Sequence, residues 1–288
     1  MTLKYCMEMS VTVTLMGGLG NQLFQIAAAY AYANTHEFEL YLPSTWNYPE
    51  DRPPVWKGYL DSDKWKLIND DTCNWVTLHE RGFKYSYLPS PTYHLIKLSG
   101  YFQSSQYFKD YKEELRILFQ PQPELKKKVL GLLVDIGIRE VGWVGAHVRR
   151  GDYVKAADYH LVCTKEYYKG ARAELGRRLG KRVVCWITDD TSWVYANLYE
   201  EGDKVICNKD PLIDFTILQN FQYMILSNSS FSWWAAFLSY ANFAESSDRV
   251  ICSPNRWFGP SGPQDYETVF EPGWLLIDTI SGKFSAQV

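Results

Sequence analysis

One pattern limits what this chain can fold into: short apolar runs alternate with helical patterns, and the alternation starts twice. Ser10 to Met16 alternates and is rich in β-branched residues, which reads as a strand. Gly17-Gly18-Leu19-Gly20 breaks it, and Asn21 to Ala33 continues as a helical pattern of Gln, Leu, Phe, Ile and alanines. Phe38 to Leu42 and Lys97 to Phe102 read as further strands, and 107–119 and 124–136 as helices, the latter with a solvated Lys126-Lys127-Lys128 face. After Gly142 the pattern restarts. It runs as strand 143–148, loop 149–163, helix 164–179, strand 183–188, helix 191–199, strand 204–207, helix 211–224, a short strand at 225–226, helix 231–240 and strand 249–253. Strands that alternate with helices specify parallel, doubly wound sheets. The expected fold is α/β, with two doubly wound, Rossmann-like domains facing a cleft. The seam near 138–142 divides them into residues 1–140 and 141–288. Residues 43–75, rich in Trp, Tyr, Pro and Asp, read as an irregular surface insertion suited to recognition.

Composition narrows the function. A chain of 288 residues has ample length for real cores, and its net charge of -3 argues against a broad basic surface for nucleic acid. Any anion site must be local. The 11 Trp, 21 Tyr and 14 Phe fit both core packing and the stacking of sugar C–H faces. Six cysteines (6, 73, 163, 185, 207 and 252) are scattered without zinc spacing and read as free thiols of a reducing compartment. No stretch reads as a signal peptide or a membrane span, so the expected location is the cytoplasm.

Four motifs carry chemistry. In His147-Val148-Arg149-Arg150-Gly151-Asp152, two arginines follow a buried strand at the end where open α/β sheets bind ligands. The guanidinium fork suits a diphosphate. Gly151 permits close approach, Asp152 can accept a hydrogen bond or orient an arginine, and His147 reads as an inward scaffold residue. In Gly17-Gly18-Leu19-Gly20-Asn21-Gln22, the glycines let a ligand approach a helix start. Asn21 can cap that helix, while Gln22 and Gln25 can bind hydroxyls. Thr188-Asp189-Asp190 reads as loop-fixing or nucleotide contacts rather than metal ligands. Ser227-Asn228-Ser229-Ser230-Phe231-Ser232 precedes a helix and offers hydroxyls and N–H groups to a phosphate. Trp233 and Trp234 read as packing.

These pieces resemble glycosyltransferase family 11, the α-1,2-fucosyltransferases. The resemblance rests on GGLGNQLFQ at 17–25, HVRRGDYV at 147–154, TDD at 188–190, SNSSFSWW at 227–234 and Pro254-Asn255-Arg256-Trp257-Phe258, which span about 240 residues in the family's order. Thr188 stands where Ser is common, and Ala235 where Gly is common. The resemblance implies a GT-B-like architecture, GDP-L-fucose as donor, a glycan acceptor, inversion, and no metal or other cofactor. In the wider superfamily an arginine at the place of Arg149 contacts the β-phosphate, and an Asn at the place of Asn21 lies near the reacting centre. With the motif reading, the candidate catalytic residues are Arg149, Asp152 and Asn21, and the candidate donor contacts are Gly18, Gly20, His147, Arg149, Arg150, Asp189, Asp190, Asn228, Ser229, Ser230 and Phe231. The general base stays open, with Asp152 a candidate for it or for holding Arg150 or a backbone turn. So do a transferase of another nucleoside-diphosphate sugar and a non-catalytic carbohydrate-binding protein.

Overall fold

The computed structural model describes residues 9–44, 55–60, 65–68, 73–138, 142–239 and 249–288. The chain divides into two compact units. The first holds residues 1–119 and 265–269; the second holds 120–264 and 270–288.

The first unit is built on a five-stranded parallel sheet. Its strands are β1 (Ser10–Val13), β2 (Glu39–Pro43), β3 (Lys66–Ile68), β4 (Val76–His79) and β5 (Leu95–Ser99), in spatial order β3-β2-β1-β5-β4. Helix α1 (Leu19–His36) follows β1, and its alanines let it lie close on the sheet. Every residue from Leu19 to Ala33 except Asn21 is buried. Glu37, in the left-handed conformation, ends it. A 3-10 segment (Ser105–Tyr111) and α2 (Lys112–Leu118) complete the unit.

The second unit holds α3 (Pro123–Asp135), β6 (Val144–Val148), α4 (Gly151–Lys155), α5 (Lys165–Leu179), β7 (Val184–Thr188), α6 (Thr191–Asn197) and β8 (Lys204–Ile206). The chain then continues through α7 (Pro211–Leu218), β9 (Tyr223–Ile225), α8 (Ser230–Ser239), β10 (Val250–Pro254), β11 (Leu275–Ile277) and β12 (Phe284–Gln287). Its sheet order is β12-β11-β10-β9-β6-β7-β8, parallel except for β12. β6 and β7 are buried at every position, as expected of strands covered on both faces. Val144, Ala146, Val148, Trp186 and Ile225 pack there with Tyr167 and Tyr168 of α5. Burying each large apolar side chain of this kind stabilises by roughly 1.5–3 kcal/mol.

Several expectations shift. The boundary falls at 119/120 rather than 140/141, because α3 packs on α7 of the second unit. The helix expected over 211–224 stops at Leu218, and Tyr223–Ile225 is strand. Periodicity cannot distinguish a short buried strand from a buried helix. The loop at 149–163 contains α4. Part of the 43–75 insertion is core: Trp56, Tyr59, Leu60 and Trp65 are buried and β3 extends the sheet; residues 45–54, 61–64 and 69–72 lie outside the described residues. Cys163, Cys185 and Cys252 are buried free thiols and Cys207 an exposed one, but Cys73 is disulfide-bonded, which corrects its reading as a thiol. Cys6 lies outside the described residues.

Candidate active site

In the second sheet the order reverses once. The chain leaves β6 for β7 and β8 on one side, then crosses to β9 and β10 on the other. The carboxyl ends of β6 and β9 therefore flank the place where doubly wound folds bind ligands. In the first unit β1 is the central strand, with β2 and β3 on one side and β5 and β4 on the other. The first and last of the four motifs begin at the ends of β6 and β9.

At the end of β6, the parallel register of Val148 with Thr188 sets Arg149 and Arg150 beside Asp189 and Asp190. Arg149 Nη2 donates to Asp152 Oδ1 at 2.6 Å, and its Nη1 lies 2.8 Å from Asp189 Oδ2. Its guanidinium also faces the Tyr153 ring, 5.5 Å from the centroid. It carries five N–H groups, more than these contacts use, and its side chain is 35% exposed. Arg150 Nε donates to Asp190 Oδ2 at 3.1 Å, and its guanidinium lies 4.1 Å from the Trp193 ring centroid. Asp189 Oδ1 accepts the Arg150 backbone N–H at 2.8 Å. Asp190 also caps α6 through the Trp193 N–H. Both aspartates thus serve to fix the arginines. Gly151 has a matching reason: a Cβ there would stand 2.8 Å from Asp189 Oδ2. Two cations and three carboxylates leave the cluster at -1, so directed N–H groups rather than net charge would hold an anion here.

His147 faces inward and is buried. Its Nδ1 lies 2.8 Å from Ser227 Oγ, and its ring stacks on Phe231 at 5.1 Å. Burial and the neighbouring Arg149 push its pKa down to about 3, so the ring is neutral at ordinary pH. The serine-rich loop spends much of its polarity on itself. Ser232 Oγ donates to the Ser227 and Ser229 carbonyls, and Asn228 Nδ2 donates to the Trp257 carbonyl at 2.8 Å. Ser229 Oγ accepts the Phe231 N–H at 3.4 Å. Internal bonding therefore accounts for more of this run than capping alone suggested. Ser230 and Phe231, which open α8, are partly exposed. Trp233 and Trp234 are fully buried and pack edge to face.

In the first unit the N-cap of α1 is Gly18, not Asn21, which sits inside the first turn with Gly20. Gly17 has φ +74°, and a Cβ on it would strike Asn21 Nδ2 at 2.2 Å. Asn21 Oδ1 accepts from Gln103 Nε2 at 2.9 Å, joining the segments that follow β1 and β5. Gln22 and Gln25 are not hydroxyl binders. Both are buried, Gln22 donating to the Gly17 carbonyl and accepting from the Trp56 N–H, Gln25 pairing with both backbone groups of Met16. Gln103 and the Trp193 platform escaped the sequence reading, since nothing local marks a contact across 82 residues.

Among the described residues no three His, Cys, Asp or Glu side chains group to hold a metal. None of their helices is long and apolar enough to cross a membrane. A cavity of about 660 Å³ lies at the opposite, amino-terminal edge of the second sheet, lined by Val144, Lys169, Arg172 and Arg182 among others. It holds none of the residues singled out above. Arg172 there is tied to Asp203 at 2.7 Å.

Comparison with known proteins shows the fold and the family. The NodZ alpha-1,6-fucosyltransferase soaked with GDP-fucose superposes with a TM-score of 0.52 at 14% identity, over 80% of this chain and 93% of that one. POFUT1 in complex with GDP-fucose gives 0.53 at 11%, over 80% and 94%. That likeness places the fold in the GT-B-like, doubly wound class. The profile of Glycosyl transferase family 11 matches residues 63–276. The alpha-1,2-colitosyltransferase of Escherichia coli is 30% identical over 94% of this chain and all of that protein. Galactoside alpha-(1,2)-fucosyltransferase 2 of Oryctolagus cuniculus is 24% identical over 94% of this chain and 78% of that one. The chain belongs to glycosyl transferase family 11.

Proposed function

We propose that this protein moves L-fucose from GDP-β-L-fucose to a glycan hydroxyl, the 2-hydroxyl of a terminal galactose, with inversion. The observation that carries the reading is the Arg149–Arg150 pair at the β6 end, each guanidinium held by aspartate. When the acceptor hydroxyl attacks the anomeric carbon, the bond to the β-phosphate breaks and negative charge grows on the departing GDP. Donors fixed before reaction stabilise that charge without reorganising water. Arg149 is the principal donor. Arg150 and the α8 start, with Asn228, Ser229, Ser230 and Phe231, assist. Asp152 and Asp189 orient Arg149, and Asp190 orients Arg150. His147 holds the Ser227 loop. Gly18 and Gly20 admit ligand at the α1 start, with Asn21 beside the acceptor. On this reading the second unit takes the donor and the first the acceptor, and charge on GDP is met by guanidinium without a metal.

Incubation with GDP-fucose and a panel of galactosides, followed by linkage analysis, tests it. An α-1,2-fucosylated product that survives EDTA is expected. A product only with UDP or dTDP sugars, or carbohydrate binding without turnover, overturns it. A second donor has a specific observation behind it, the 30% identity with a colitosyltransferase. Colitose lacks one ring hydroxyl of fucose, so competition between the two GDP-sugars for one acceptor decides between them.

A further inference from the structure

Glu80 follows β4, and its backbone N–H donates to the Ser99 carbonyl of β5 at 2.9 Å. This puts its carboxylate at the carboxyl edge of the first sheet, beside the turn that leaves β5. One oxygen, Oε2, accepts the backbone N–H groups of Tyr101 at 2.7 Å and Phe102 at 3.0 Å. The other, Oε1, is buried, and the Tyr107 hydroxyl is a further hydrogen-bond partner of the carboxylate. Burial raises the carboxyl's pKa, and the Asp265 carboxylate adds to that rise, while the two N–H bonds and the Tyr107 hydroxyl oppose it.

The turn that this carboxylate holds is itself strained. Phe102 has φ +52°, a left-handed conformation that a bulky side chain avoids, and it is fully buried against Tyr107. Gly100 must be glycine, because a Cβ there would lie 2.4 Å from Glu80 Cβ. The next residue after this strained corner is Gln103, whose amide donates to Asn21. Strain of this kind persists only where the surroundings over-determine it. Here two N–H bonds to one carboxylate do so, and the output is the placement of Gln103.

We propose that Glu80 is a positioning residue for the transfer reaction, clamping the Gly100–Phe102 corner so that Gln103 fixes the Asn21 side chain. The proposal rests on the reading that Asn21 meets the reacting centre. A double-mutant cycle on the full chain separates the two, with kcat for transfer from GDP-fucose to a galactoside as readout and GDP affinity by calorimetry as control. Asn21→Ala loses turnover. Glu80→Ala loses on the order of 10²-fold in kcat, since misplacement of about 1 Å has that effect, while GDP affinity holds. In the Asn21→Ala background the second loss nearly vanishes. Glu80→Gln keeps an acceptor oxygen for the turn and recovers most of the rate. Where Glu80→Ala does not fold, Gln103→Ala replaces it in the same cycle with the same expected non-additivity.

The proposal is overturned if Glu80→Ala keeps wild-type kcat, or if its loss, or that of Gln103→Ala, multiplies in full with that of Asn21→Ala. In either case the Asn21 reading stands. Wild-type turnover in Asn21→Ala instead removes that reading, and the proposal with it.

Discussion

In the proposed reaction Arg149 acts through donors already aimed, and Asp152 and Asp189, which it contacts at 2.6 and 2.8 Å, do the aiming. Loss of one preorganised donor costs on the order of 10²–10³ in rate, so Arg149→Ala should lower kcat by that much while the protein stays folded. Asp189→Asn offers a sharper test. It makes the cluster less negative, which favours a bound diphosphate, yet loosens Arg149. We expect kcat to fall by about 10²-fold while the GDP Kd, by calorimetry, changes less than tenfold. A parallel weakening of both would mean that Asp189 serves binding rather than aim. His147 supplies a pH prediction. Its folded pKa of about 3 lies below the ordinary value near 6.5. Unfolded chains therefore bind a proton over that window that the folded protein does not. Stability falls as pH drops from about 6.5 towards 3, by at most about 1.4 kcal/mol per pH unit for one group. His147→Asn should flatten that slope relative to wild type in denaturant titrations at pH 7 and pH 5.

At the scale of elements, two glycines that look alike in sequence do different things. Gly151 opens α4 with Asp189 pressed against the place of its absent Cβ. Alanine is a good helix former, so Gly151→Ala should melt near wild type yet displace Asp189 from Arg149 and lower turnover, by up to about 10²-fold. Gly18 has nothing within 4 Å of an added Cβ and an ordinary φ of -78°. Neither its backbone nor its neighbours require glycine. Gly18→Ala should therefore fold as wild type, and a loss of turnover in that variant would assign the glycine to ligand approach.

For the whole molecule, the chain's path matters as much as its sheets. Residues 265–269 belong to the first unit although the surrounding chain belongs to the second. Asp265 Oδ2 accepts the Phe83 N–H at 3.0 Å, and Thr268 Oγ1 accepts the Tyr85 N–H at 2.8 Å. Asp265→Ala should destabilise by about 1.5–3 kcal/mol, the range for a hydrogen bond to a charged group. Urea titration followed by aromatic fluorescence would check it, and an unchanged midpoint would show that the strap contributes nothing.

The sequence alone carried whatever is local. β-branched runs, glycine breaks and helical periodicity gave the strand–turn–helix order and the positions of the arginine, aspartate and serine motifs, because each depends on neighbours within a few residues. It misplaced the α7–β9 boundary, where a continuous apolar run satisfies either conformation. Tertiary structure decided which motifs meet. Arg149 on Asp189, His147 on Ser227, Asn21 on Gln103 and the Glu80 clamp all join residues brought together by strand order, and strand order is fixed by packing energy summed over whole sheets. No local pattern records that sum. The same packing turned Gln22, Gln25 and much of the serine run from apparent ligand contacts into internal partners, since a polar group buried by the fold must find its hydrogen bonds inside it.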